Sequence, residues 1–177
     1  MEARMNYLVV VDMQNDFING VLGTEEAKHI VVDVLKKIQS FKGTIIYTRD
    51  THTKDYLKTR EGKNLPVPHC IKGSHGWELA PVIETLRKSD TLTFDKSSFG
   101  SMELGHFLEQ ENLKHPIQSI EFVGLCTDIC VISNAIIAKA AAPEAEIIIN
   151  SSCCAGTTPN GHETALQAMK NCQITIR

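Results

Sequence analysis

Two carboxylates, an amine and a thiol (Asp12, Asp50, Lys96 and Cys130) each stand at or just past the end of a short apolar run. The runs are 6–11 (NYLVVV), 44–49 (TIIYTR), 91–95 (TLTFD) and 119–124 (SIEFVG), about one strand-plus-helix unit apart. If these runs are parallel strands, their carboxyl ends share one rim, and that rim is where open α/β sheets bind ligands. A carboxylate, an amine and a thiol on one rim are the parts of a nucleophilic catalyst.

The elements that must place these groups are legible in the same pattern. Thr24 reads as an N-cap, followed by Glu25, Glu26 and apolar residues at Ile30, Val31, Val34, Leu35 and Ile38 at helical spacing. Leu79, Val82, Ile83 and Leu86 mark a second helix, and Leu104, Phe107, Leu108 and Leu113 a third. Residues 131–142 (VISNAIIAKAAA) are nearly all apolar or small, as in a helix pressed against a sheet. Asn160 with Glu163 reads as a capping box opening a helix over 161–170. Runs 145–150 (AEIIIN) and 173–177 (QITIR) add two strands, giving six strands and five helices. Strands apolar on both faces and separated by helices predict an α/β fold, a parallel sheet covered on both sides. Residues 51–76, rich in His, Pro and Gly, read as one long irregular loop, and loops of that length are usually functional.

Composition bounds the possibilities. A chain of 177 residues, 42% hydrophobic and 22% charged, suits a single domain over 1–177. A net charge of -3 gives no footprint for nucleic acid or an anionic membrane, and the apolar stretches are too short to span a bilayer. Six cysteines with no secretory leader suggest reduced thiols and a cytoplasmic protein. Met5 reads as either an internal start or the junction of a short leader.

The segment 124–131 (GLCTDICV) carries the sharpest chemistry. With Thr127 or Asp128 as a cap, Cys130 falls in the first turn of a helix, where free backbone amides point outward. A thiol there has its pKa drawn down from about 8.5 toward neutrality. The same amides can stabilise an oxyanion, each worth about 3–4 kcal/mol in a comparable site. Cys126 is a competing nucleophile, but it lies in the turn.

The motifs VVDMQNDF at 10–17, Lys96 after the third strand, and GLCTDICV at 124–131 together resemble the isochorismatase-like cysteine hydrolases, nicotinamidases in particular. The resemblance covers essentially the whole chain. It implies a three-layer αβα sandwich around a six-stranded parallel sheet of order 3-2-1-4-5-6, with Asp12 and Cys130 facing each other at the topological switch point. It implies a cysteine amidohydrolase working through a thioester, with nicotinamide as first substrate and nicotinate and ammonia as products. The alternative is another small amide or an N-carbamoyl (ureido) compound. Asp12 would take the thiol proton and return it to the leaving ammonia, with a pKa raised by burial. Lys96 would hold the charged pair. Phe17 would form one wall of the pocket, and Asp16 would bond backbone amides. A cis Leu125–Cys126 bond would turn the Cys126 amide toward the oxyanion.

Asp50-Thr-His52 with His69 in 66–70 (PVPHC) reads as a metal site with open positions, since a carboxylate and two imidazoles can converge on one ion. The resemblance implies a divalent ion, zinc first, holding the substrate's pyridine nitrogen, with Glu61 as a candidate further ligand. His75, His106, His115 and His162 have no such context and read as ordinary residues. The family's aromatic residue before the metal histidine is missing at 66–68, and Trp77 follows KGSHG where the family shows a different motif. That wall of the ring pocket is either missing or supplied from elsewhere, with Tyr56 and Phe99 as candidates. Isochorismatases proper lack the nucleophilic cysteine, so Cys130 argues against isochorismate itself. A small-molecule amide is the expected partner, without nucleic acid or membrane, and a homo-oligomer is expected.

Two readings from other classes fit less well. A response-regulator receiver would place its phosphoacceptor after strand three and its lysine after strand five, but Asp50 and Lys96 come earlier. A redox thiol protein would need a resolving cysteine; Cys126 and Cys130 are four apart and Cys153 and Cys154 adjacent, neither a C-x-x-C pair.

Overall fold

A computed structural model describes residues Met5–Arg177. The question of an internal start or leader concerns residues 1–4 and lies outside the described residues. Six strands form one parallel sheet in the order β3-β2-β1-β4-β5-β6: β1 (Met5–Val11), β2 (Thr44–Asp50), β3 (Thr93–Lys96), β4 (Ile117–Leu125), β5 (Glu146–Ala155) and β6 (Thr175–Ile176). β1 is central because its run Tyr7–Val11 is apolar on both faces and wholly buried. Alternate residues then serve opposite cores. Tyr7, Val9 and Val11 pack against α5 (Met102–Lys114), α6 (Ile132–Ala141) and α7 (Pro159–Asn171). Leu8 and Val10 pack against α1 (Asn15–Ile18), α2 (Glu25–Ser40) and α4 (Pro81–Glu84). Helices therefore cover both faces, as the apolar strands require. Among the described residues, no helix is long and apolar enough to cross a membrane.

Several elements differ from the sequence reading, each for a local reason. The helix expected from Leu79 to Leu86 is a single turn, Pro81–Glu84. Leu79 instead bridges Gln14, and the Ala80 amide donates to Met13, so the chain is tied down in extended form before the helix begins. α7 is capped by Thr158, whose Oγ1 accepts from the Gly161 amide, and not by Asn160. Pro159 at the first helical position fixes that earlier start. The stretch 51–76 is not irregular throughout: a short 3₁₀ turn (Tyr56–Lys58) and α3 (Arg60–Asn64) lie within it. Among the described residues there are thus seven α-helices, some of one turn, where five were expected.

Two features close the sheet around the site. Asp12 leaves β1 with a left-handed backbone (φ 47°), which swings its carboxylate toward the rim. Gly124, paired with Val11, has φ 117°, and a Cβ there would lie 2.1 Å from the Val11 carbonyl oxygen. Only glycine lets β1 and β4 approach this closely. Gly124→Ala is therefore expected to cost about 3 kcal/mol from combined backbone strain and overpacking. For a chain of this length, that lowers the melting temperature by on the order of 10 °C in a thermal scan.

Candidate active site

The carboxyl ends of β1, β2, β3 and β4 bring the four predicted residues together. Lys96 Nζ lies 2.6 Å from Asp12 Oδ2, 3.4 Å from Cys130 Sγ and 3.5 Å from Asp50 Oδ1. It also donates to the Ser98 carbonyl at 3.1 Å. The other oxygen of Asp12 accepts from Thr48 Oγ1 at 2.6 Å. Asp12, Lys96 and Cys130 are all buried, with Cys130 5% exposed.

Burial decides the resting protonation. It raises the Asp12 pKa above the ordinary carboxylate value, although the Lys96 charge opposes it. Burial alone would lower the Lys96 pKa, but Asp12, Cys130 and Asp50 take it above its ordinary value. The Cys130 thiol is pushed well above its usual range, first by burial and then by the Asp12 charge, with Lys96 opposing. This corrects the expectation of a thiol drawn toward neutrality, because the thiol is buried beside a carboxylate. The raised thiol pKa favours the neutral thiol, next to the 2.6 Å contact between Lys96 and Asp12.

The local backbone differs from the expected helix start. After a cis Leu125–Cys126 bond, Thr127–Val131 forms a π-helical turn, and α6 begins only at Ile132. Cys130 sits in that turn, not in the first turn of an α-helix. Neither Thr127 nor Asp128 caps it. Thr127 Oγ1 is 2.7 Å from His162 Nδ1, and Asp128 accepts from the amide and hydroxyl of Thr157. The amides of Ile129 and Val131 both donate to the Cys126 carbonyl, which closes the turn.

A second cluster adjoins the first through Asp50. Ligand atoms of Asp50, His52, Glu61 and His69 lie within 4.8 Å of one another. His52 Nε2 is 2.9 Å from Asp50 Oδ2 and 3.6 Å from Glu61 Oε1; His69 Nε2 is 3.3 and 3.7 Å from the same two oxygens. His69 Nδ1 is 2.8 Å from the Val67 carbonyl and donates to it, so in the neutral ring Nε2 carries the lone pair. His52 Nε2 is buried and makes no hydrogen bond of acceptable angle, even to the nearby Asp50 oxygen. Lone-pair atoms facing a common point in this way fit a divalent cation. Glu61, only a candidate in the sequence, joins the set because α3 turns it inward.

A cavity of about 360 Å³ opens onto both clusters. Asp50, Glu61, His69, Cys126 and Cys130 form its polar end, and Phe17, Leu22, Leu65, Phe99 and Ile129 its apolar walls. Among the described residues, no lysine or arginine lines it. Of the two candidates for the missing aromatic wall, Phe99 borders the cavity. Tyr56 does not: it packs behind His52 and His69, at ring distances of 4.7 and 5.0 Å, and its hydroxyl donates to Leu65. Trp77 is also elsewhere, stacked under Arg49 at 3.9 Å.

The sequence matches the model of the isochorismatase domain over residues 6–177. The chain belongs to the isochorismatase family. This isochorismatase-family protein is 28% identical to the nicotinamidase/pyrazinamidase PncA of Bacillus subtilis, whose crystal structure superposes with a TM-score of 0.82 over 97% of this chain and 98% of that one. It is likewise 28% identical to the pyrazinamidase of Pyrococcus horikoshii, solved in complex with zinc, with a TM-score of 0.80 over 97% and 98% of the two chains. The nicotinamidase of Schizosaccharomyces pombe is 25% identical over 203 residues, covering 96% of this chain and 91% of that one.

Several residues of the family protein's site went unremarked in the sequence. Gln14 donates to the carbonyls of Asp50 and Trp77 and accepts from the Asp50 amide, so it fixes the end of β2. Its place two residues after Asp12 in VVDMQNDF was the available signal. Asn134, fully buried, donates to the carbonyls of Cys130 and Phe99 and accepts from the Ser101 amide. Asp16 takes its expected backbone role, accepting from the Cys70 amide next to His69. Thr48 and Asn134 had no sequence signal.

Proposed function

We propose that this protein is a cysteine amidohydrolase that converts nicotinamide to nicotinate and ammonia through a thioester on Cys130. The observation that carries the reading is the single Lys96 ammonium bridging Asp12 and Cys130, whose thiol borders a cavity also lined by Asp50, Glu61 and His69 of the four convergent metal-ligating side chains. Family membership and the nicotinamidase relatives support a hydrolase of amide bonds.

Each step follows from a named group. Asp12 accepts the thiol proton as Sγ attacks the carboxamide carbon; the transfer leaves the site's net charge unchanged, and Lys96, in contact with both groups, stabilises whichever of them is the anion. The amides of Cys126 and Cys130 receive the developing oxyanion. Asp12 returns the proton to the leaving amine, which departs as ammonia and leaves the thioester. Asp12 then draws a proton from water, whose oxygen attacks the thioester carbonyl; the C–S bond breaks, Asp12 returns that proton to the sulfur to restore the thiol, and nicotinate leaves with its acid proton lost to solvent. Asp50, His52, Glu61 and His69 would hold a divalent ion, zinc by ligand type, which would supply a Lewis acid for the ring nitrogen to bind. Phe17 and Phe99 flank the ring.

The cavity also bears on the alternative substrate. With two carboxylates and no lysine or arginine on its walls, it disfavours N-carbamoyl amino acids, whose own carboxylate would find no partner. A neutral ureido compound is the second reading, favoured by aliphatic Leu65 and Leu22 in a wall where the ring pocket was expected to be aromatic.

Ammonia release from a panel of amides tests this. Metal-replete protein should hydrolyse nicotinamide with kcat/KM at least about 100-fold above benzamide, because the analogue leaves a ring-nitrogen position unpaired. Isomers with the amide elsewhere on the ring should also be poor. No ammonia from nicotinamide, with hydrolysis of a ureido compound, would overturn the substrate and leave the reaction class standing.

A further inference from the structure

His162 lacks any motif and lies on α7, outside the cavity that holds the reacting groups. Its Nδ1 is nevertheless 2.7 Å from Oγ1 of Thr127, the first residue of the π-helical turn that carries Cys130. Thr127 is fully buried, and among the described residues this is the sole side-chain partner of its hydroxyl. The next residue, Asp128, is fastened to the same region. It accepts from the amide and hydroxyl of Thr157, just ahead of α7. A Cβ on Gly161 would lie 2.3 Å from the Asp128 carboxylate, so α7 sits against the turn with no room between.

We infer that His162 is a positioning residue for Cys130, holding the nucleophile-bearing turn to α7 through the Thr127 hydroxyl. This rests on Cys130 being the nucleophile. The turn follows directly on Cys126, which lines the cavity together with Cys130, and it lacks an N-terminal side-chain cap of its own. The imidazole does for it what a cap does for an ordinary helix: it fixes the entry of the turn. Losing that bond leaves a buried hydroxyl unpaired and lets the Cys126 and Cys130 amides drift from their common target. Misplacement by about 1 Å at such a site costs on the order of 100-fold in rate.

The test compares His162→Leu with His162→Asn in the full-length, metal-replete protein. The Asn side-chain oxygen stands the same number of bonds from the backbone as Nδ1 and can accept the same hydroxyl. In His162→Leu, kcat should fall at least about tenfold while KM shifts less than about twofold, the signature of a lost transition-state arrangement. In the same variant, carbamidomethylation of Cys130 by iodoacetamide should rise about fivefold or more, since a 5% exposed thiol is uncovered when its turn loosens. His162→Asn should stay within about threefold of the parent in both readouts. Thr127→Val removes the hydroxyl with the imidazole in place and should reproduce the Leu phenotype; the double variant should be no worse than either single change. Thr127→Val also decides the matter if His162→Leu does not fold. The alkylation readout needs no substrate, so it stands even if nicotinamide proves not to be hydrolysed. Parental rates in His162→Leu, equal damage in His162→Asn, or additive losses in the double variant would each overturn the inference.

Discussion

Cys130→Ala is expected to lower amide turnover by about 10⁴-fold or more while leaving the fold intact, as judged by ammonia release and by an unchanged thermal transition. The size follows from the step removed. Without Sγ there is no thioester, and direct attack by water must proceed without covalent help from the site. The fold should tolerate the change because a cysteine at this position contributes chiefly as a small buried apolar group. Asp12 and Lys96 keep each other at 2.6 Å, so no buried charge is orphaned. Cys126→Ala should retain most activity, since its backbone amide is what the account uses. Substantial activity in Cys130→Ala, or its loss only in Cys126→Ala, would sink the mechanism. The raised thiol pKa adds a corollary about reactivity at rest. Exposed Cys172, not Cys130, should be the first thiol to react with alkylating reagents near neutral pH.

Losing the proposed metal ligand His52 should have the second largest effect. His52→Ala deletes one ligand of a set that also contains two carboxylates and His69, and the protein should lose the roughly one divalent ion per chain expected of the parent. Loss of substrate affinity should then be about 10–100-fold, the range seen when metal sites are disturbed. Cys130 alkylation should change far less, because Lys96 and Asp12 do not depend on His52. Metal analysis together with KM and kcat separates these effects. Full activity after chelation, in protein shown to be metal-free, would refute the ligand assignment. Asp50 is a poorer target for the test. It also sits 3.5 Å from Lys96 and is held by Gln14, so its removal disturbs both clusters at once.

Much of this site was legible because it depends on strand ends. Runs such as VVV at 9–11 announce a strand buried on both faces, and a residue that follows such a strand in a parallel sheet has little choice of location. Asp12, Asp50 and Lys96 were found that way, and the cysteine by its motif. The strand order 3-2-1-4-5-6 came through the family resemblance and is the order in the sheet. What escaped was held by contacts distant in sequence. Gln14 reaches across 36 residues to Asp50, and His162 across 35 to Thr127; neither bond leaves a periodic trace in the chain. Residues 79–86 carried a helical spacing that tertiary bonds overrode, as when the Ala80 amide pairs with Met13. The thiol pKa was misjudged for a related reason: a motif suggests a helix dipole, but burial beside Asp12 can be seen only once the chain is folded.

The most direct test of the central claim is a rapid acid quench of metal-replete protein during turnover of nicotinamide, followed by mass analysis of the cysteine-bearing peptides. The account predicts a nicotinoyl group attached to Cys130, absent when substrate is omitted and released by hydroxylamine. Ammonia production with every Cys130 peptide unmodified, or with the acyl group on Cys126, would contradict it.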